Sequence, residues 1–121
     1  MLVVDAANVV GSRPTGWWRD RAGAARNLVA HVRKATFEGR IDAPVVVVLE
    51  GRARHGVSVG TADGVEVVHA PGEGDDAIVD VVVAANEAAV TVVTADRALA
   101  ARVRARGAAV VGPGWLNERV F

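Results

Sequence analysis

Apolar residues fall along this chain in short unbroken runs, not in strict alternation. Leu2–Asp5 is such a run, closed by an acid, and predicts a buried strand. Pro44–Leu49 holds four consecutive valines and predicts a strand covered on both faces. Val65–His69, Val90–Thr94 and Ala108–Val111 predict three more strands. Between the runs the period lengthens. Ala22, Ala25, Val29, Val32 and Thr36 make one helical stripe, predicting a helix over Arg19–Glu38 that Gly39 stops. Two further helices are predicted over Asp75–Glu87 and Asp96–Arg106, the second ended by Gly107. Ala6–Trp18, with Gly11, Pro14 and Gly16, reads as a loop. Glu50–Thr61 reads as a Gly- and Arg-rich loop that crosses over irregularly or carries a short helix. The tail from Gly112 reads as one helical turn around Trp115–Arg119.

The order β-α-β-β-α-β-α-β predicts an α/β fold. A mostly parallel five-stranded sheet lies between two helical layers, a three-layer α/β/α Rossmann-like domain. The strands ending in Asp5 and Thr94 are expected to be neighbours. At 121 residues the chain is one domain, 1–121. Composition changes the picture in three places. Hydrophobic residues make up 51% but aromatics only 4%, so the core is aliphatic. The absence of cysteine excludes disulfide scaffolds, thiolate metal sites and a cysteine nucleophile. No apolar run approaches the roughly 18 residues of a membrane helix, and no basic segment precedes the first apolar run. The expected location is cytoplasmic, away from membranes.

Fourteen cations balance fourteen acids, so net charge selects no partner. All the cations except Lys34 are arginine. Biased base composition in the gene explains this, as does phosphate recognition by a planar guanidinium. A single lysine, inside a predicted helix, excludes P-loop and Schiff-base chemistry.

The acids carry the strongest signal. In open α/β sheets ligands bind beyond the carboxyl ends of the strands. There stand Asp5 with Asn8, Glu50, the group Glu73, Asp75 and Asp76, and Thr94 with Asp96. Asp76 and Asp80 are four apart and share a helix face. Residues 77–79 and 81–83 are all apolar, so a carboxylate at Asp80 needs a cation or a donor. A hard divalent ion with oxygen ligands from Asp5, Asp76, Asp80 and Asp96 satisfies it. Each acid also has a plainer use. Asp75, Asp76 and Asp96 stand where helix caps stand, and Asp80 is free to face solvent.

Three blocks, VVDAANVVG, EGDDAIVD and VTVVTADRALAARVRARGA, resemble the signature blocks of NYN-domain ribonucleases, in the PIN-like superfamily and nearest its YacP-like branch. The likeness runs from residue 2 to about residue 112. The first block is similar to D-G-Y-N and keeps Asp5 and Asn8, with Ala6-Ala7 replacing Gly-Tyr. The second is similar to E-T-A-D-x-x-I-E and places Glu73, Asp76 and Asp80 on its acids, with Asp80 where Glu is usual. The third is similar to T-S-D-R and places Thr94, Asp96 and Arg97. The resemblance implies a PIN-like sheet, an acidic pocket for Mg²⁺ or Mn²⁺, and endonucleolytic hydrolysis of RNA.

On that basis Asp5, Asp76 and Asp96 are the expected catalytic and metal ligands. Asp80 is a further ligand or the group that orients water. Asn8, Glu73 and Thr94 support them from behind. Arg13, Arg52, Arg54 and Arg97 are candidates for RNA phosphates, joined in the same loops by Arg19 and His55. Trp17 and Trp18 are candidates for stacking on bases. Solvated arginines and a hydrophobic plug are the plainer readings. Gly56–Gly60 matches a nucleophile elbow but lacks the strand before and helix after that the motif needs. A receiver domain lacks its acidic pair and its lysine here. The rival of another class is a non-catalytic RNA- or nucleotide-binding module on the same fold. Which RNA is cut, whether a ribosome presents it, and the oligomeric state stay open.

Overall fold

The computed structural model describes residues 1–86 and 88–121. Six strands form one sheet: β1 (Leu2–Asp5), β2 (Val45–Leu49), β3 (Gly60–Ala62), β4 (Val65–His69), β5 (Thr91–Val93) and β6 (Ala109–Val111). Five α-helices accompany them: α1 (Ala6–Gly11), α2 (Arg21–Phe37), α3 (Gly74–Ala84), α4 (Arg97–Arg104) and α5 (Pro113–Val120). The order across the sheet is β3-β4-β2-β1-β5-β6, parallel throughout except for β3 against β4. The expected neighbours are neighbours: β1 pairs with β5 in the register Val4↔Val93.

Every residue of β1 and β2 is buried, as unbroken valine runs require of a sheet covered on both sides. Successive side chains point to opposite faces. Leu2, Val4, Val45, Val47 and Leu49 therefore join one cluster, with Val9, Leu28, Val32 and Leu116 of α1, α2 and α5. Val3, Val46 and Val48 join the other, with Ile78, Val82, Leu99 and Val103 of α3 and α4. Two aliphatic cores, one on each side of the sheet, hold the strand ends in place.

Four expectations are corrected. The segment after β1 is not a loop. Asp5 accepts the Asn8 N–H at 3.4 Å and caps the short helix α1, while the two glycines and the proline that suggest a loop come at or after its end. Trp17–Arg19 is a 3-10 turn. The sheet has a sixth strand, β3, because Asp63 (φ +54°) and Gly64 (φ +76°) make a tight hairpin turn, and Asp-Gly is a known signal for one. The link from β2 carries a 3-10 helix, Gly51–His55, which is one of the two forms expected of it. The tail is a full eight-residue helix, α5, started by Pro113 at its first position. The helix expected over Asp75–Glu87 runs Gly74–Ala84, and Glu87 lies outside the described residues.

The chain passes from β1 outward through β2 to β4, then returns to β5 on the other side of β1. The strand order reverses between β1 and β5, and ligands bind outside such a reversal. Asp5 and Thr94 end up side by side there.

Candidate active site

Asp5 and Thr94 are the only polar side chains that are buried among the described residues. They hold each other. The Thr94 hydroxyl donates to Asp5 Oδ2 at 2.9 Å and accepts the Asp96 N–H at 3.1 Å. Asp96 Oδ1 in turn accepts the Leu99 N–H at 3.0 Å and caps α4. Asn8 closes the other side, its side-chain oxygen accepting the Ala95 N–H at 3.0 Å. The ends of β1 and β5 are thus tied by side chains beyond the last ladder bond. Removing the Thr94 hydroxyl would strip a buried carboxylate of its donor, at about 1–3 kcal/mol.

Burial pushes the Asp5 carboxyl above its ordinary value, against the pull of the Thr94 hydroxyl and the Asn8 N–H, and the charges of Asp75 and Glu50 push the same way as burial. Asp75 is also raised, first by loss of water, then by Asp96, Glu50 and Glu73, with Arg102 opposing. Glu50 Oε2 accepts the Gly74 N–H at 2.7 Å. It caps α3 from the end of β2, in place of Glu73, whose side chain makes no cap bond. Asp5 and Asp75 each feel Glu50, and Asp75 also feels Asp96, so these four carboxylates share one negative field at the strand reversal.

Asp76 and Asp80 lie outside that field. Asp76 has an 83% exposed side chain and pairs with Arg102 at 2.9 Å. Asp80 is exposed one turn further along. The two do share a helix face, but it is the outer one. Asp75, Ile78, Val79 and Val82 form the stripe turned toward the sheet, at spacings of three, four and seven. That stripe was legible, yet the unbroken apolar run around Asp80 hid which side faced in. Among the described residues no three acidic or histidine side chains stand close enough together to enclose a cation, so the expected four-aspartate cluster does not form as a set.

The basic and aromatic candidates separate as well. Arg13 lies over the Phe121 ring, 3.5 Å from its centroid. Arg54 donates to the carbonyls of Gly51 and Ala70, at 3.0 and 3.4 Å, and braces its own loop. Arg97 is exposed beside Asp96. Trp17 and Trp18 meet edge to face with centroids 6.0 Å apart. Trp18 is 57% exposed, with Arg19, Arg21, Arg52 and His55 around it. Arg21 was not a candidate. It opens α2, and nothing in its local sequence sets it apart from other helix-surface arginines.

The comparisons with known proteins follow the same lines. The family model described as the YacP-like NYN domain matches residues 2–120. No curated protein matches the chain. The fold is similar to that of Rae1 (YacP) from Bacillus subtilis, with a TM-score of 0.73 and 22% identity over 99% of this chain and 72% of that one. A tryptophan-to-leucine variant of the same protein matches with a TM-score of 0.73 and 21% identity, over 98% and 72% of the two chains.

Proposed function

Because this chain belongs to the YacP-like NYN domain family, we propose that it is a divalent-metal-dependent endoribonuclease acting at the carboxyl ends of β1 and β5. The observation that carries the reading is the buried Asp5, coupled through Thr94 to Asp96 and sharing its field with Asp75 and Glu50. Structural roles alone do not call for a buried carboxylate facing other carboxylates, which is expensive without a cation. Among the described residues, no arginine, lysine or histidine makes an ion pair with Asp5, Asp75 or Asp96.

The donor set suits Mg²⁺ or Mn²⁺. All the donors are carboxylate oxygens, and each carboxylate keeps lone pairs beyond its present hydrogen bonds. Asp5, Asp75 and Asp96 would hold the ion, with Glu50 beside them. Because no three carboxylates enclose a bare ion among the described residues, the ion would keep several of its waters, as magnesium does. When bound, such an ion lowers the pKa of water and offsets the charge that builds on a phosphodiester during in-line attack.

The chain's own residues supply the rest. Thr94 and Asn8 fix the Asp5 carboxylate, so its orientation survives the approach of a phosphate. Arg97, exposed at the start of α4, neutralises a phosphate oxygen on the β5 side. Asp76 and Asp80 have no role in this reading. The test is cleavage of a mixed RNA pool in Mn²⁺ by the wild type and by Asp96→Asn, with and without chelator. Cleavage that needs the metal and is lost in the variant supports the proposal. An intact chain that binds RNA and never cuts it would leave a binding module on the same fold.

A further inference from the structure

Next to the carboxylates lies a cleft of about 360 Å³. Ala7, Val10, Trp17 and Arg21 line it, together with the carboxylates Glu50 and Glu73. The volume is at the small end of the range for ligand pockets, about 300–1,000 Å³, and suits one flat heterocycle. Trp17 also lines a second hollow, which it shares with Arg13 and Phe121.

Outside the cleft the surface turns basic. Arg19, Arg21, Arg52 and His55 gather around the exposed Trp18. The gathering is built in. Gly56 packs so tightly on the Ala22 carbonyl that a Cβ there would collide with it, which brings the 3-10 helix carrying Arg52 and His55 onto the start of α2. The one acid in the group, Asp20, accepts the Gly23 N–H at 2.8 Å and caps α2. None of the three arginines is in an ion pair with an acid among the described residues.

We propose that the Trp17 cleft holds one unpaired nucleobase of a single-stranded RNA, and that Arg19, Arg21 and Arg52 hold the phosphates that flank it. The inference deepens the ribonuclease reading and rests on it for the identity of the polymer. Every base has a π-face, so an aromatic wall with a cationic mouth accepts single strands with little regard to sequence. The Arg21 guanidinium lies over the Trp17 ring at 5.3 Å, a loose cation–π distance. A base takes that position with closer contact and releases Arg21 to the neighbouring phosphate. A duplex, with its bases stacked and paired, cannot enter. The next nucleotide along the strand then lies on the Glu50 side, toward Asp5 and Asp75.

The test is binding in chelator, where nothing is cut. In the Trp18→Phe, Trp115→Phe protein, Trp17 is the only tryptophan. A short single-stranded RNA of mixed sequence should quench its fluorescence, and the duplex of the same sequence should not. Ala7 is exposed, so Ala7→Phe fills the cleft without disturbing the core and should weaken single-strand binding about tenfold. Trp17→Leu should do the same, and Trp17→Phe should restore most of the loss. Equal binding by Ala7→Phe and wild type, or equal quenching by duplex, would overturn the proposal. Quenching without any metal-dependent cleavage would keep the base site and remove the nuclease. Cleavage with no effect of Ala7→Phe on binding would keep the nuclease and remove the base site.

Discussion

The two sides of this rim are built by opposite means. On the β1/β5 side, short side chains leave strand ends, buried at Asp5 and Thr94 and half-buried at Asn8 and Asp96, and are locked by hydrogen bonds to one another and to the next helix. On the α2 side, exposed arginines, the exposed Trp18 and the half-buried Trp17 leave 3-10 turns and a helix start, and touch through loose ring and cation contacts of 5.3–6.0 Å. The first arrangement holds charge where water cannot relax it, which chemistry at a phosphate needs. The second leaves side chains able to follow a flexible polymer. Substitutions on the two sides should therefore divide cleanly, with rate on one and affinity on the other.

The largest effect tests that division directly. Asp5→Asn and Asp96→Asn keep shape and most hydrogen bonds but remove a charge. Cleavage in Mn²⁺ should fall on the order of a hundredfold or more, while single-stranded RNA binds in chelator at least as tightly as to wild type. Binding that fell together with rate would merge the two sides into one.

A somewhat smaller effect sharpens the acid side itself. Asp75→Asn should reduce cleavage by at least about tenfold, and Asp76→Asn, which breaks an exposed ion pair with Arg102, by less than about twofold. The reverse order would return Asp76 to the place its sequence pattern suggests. This pair also marks where the sequence stopped being legible. The strand runs, the β1/β5 adjacency and the rim position of Asp5 and Asp96 follow from hydrophobic periodicity and topology. The choice between adjacent carboxylates needs the helix phase. With residues 77–79 and 81–83 all apolar, the period is masked, and only exposure of Val83 on the outer side reveals it. Helix α1 was hidden for a related reason, since six residues with one side-chain cap hold too little pattern to detect. The Arg21 mouth depends on a backbone contact between Gly56 and Ala22, distant in sequence.

Stability gives the next test. The Asp5 and Asp75 carboxyls are both raised in the fold. Between their ordinary and raised values the folded chain binds more protons than the unfolded chain, so stability falls as pH rises through that window. Metal-free protein should melt at a higher temperature in mild acid than at neutral pH. Asp5→Asn should flatten that dependence and raise the neutral-pH Tm by a few degrees. Mn²⁺ should stabilise the wild type by mass action, by about 2.7 kcal/mol at a hundredfold excess over Kd, and so raise its Tm. It should raise that of Asp5→Asn much less. A Tm indifferent to both pH and metal would mean that the carboxylates do not strain the fold.

The smallest effect lies on the basic side and separates arginines that look alike in sequence. Arg13 and Arg52 both fall in segments that read as loops in the sequence. Arg13 lies over the Phe121 ring at 3.5 Å and lines the second hollow with Trp17. Arg52 is exposed beside Trp18 with no acid paired to it among the described residues. A phosphate near Arg52 releases a counterion from the RNA, and a single strand loses about 0.7 in the slope of log affinity against log salt for each such contact removed. Arg52→Gln should therefore weaken single-strand binding two- to threefold at moderate salt, roughly the value of one exposed charge, and lower the slope by that amount. Arg13→Gln should leave the slope unchanged and lower Tm slightly through the lost ring contact. Salt titrations of the two variants against one RNA would read both. A slope that drops for Arg13→Gln and not for Arg52→Gln would move the polymer to that second hollow.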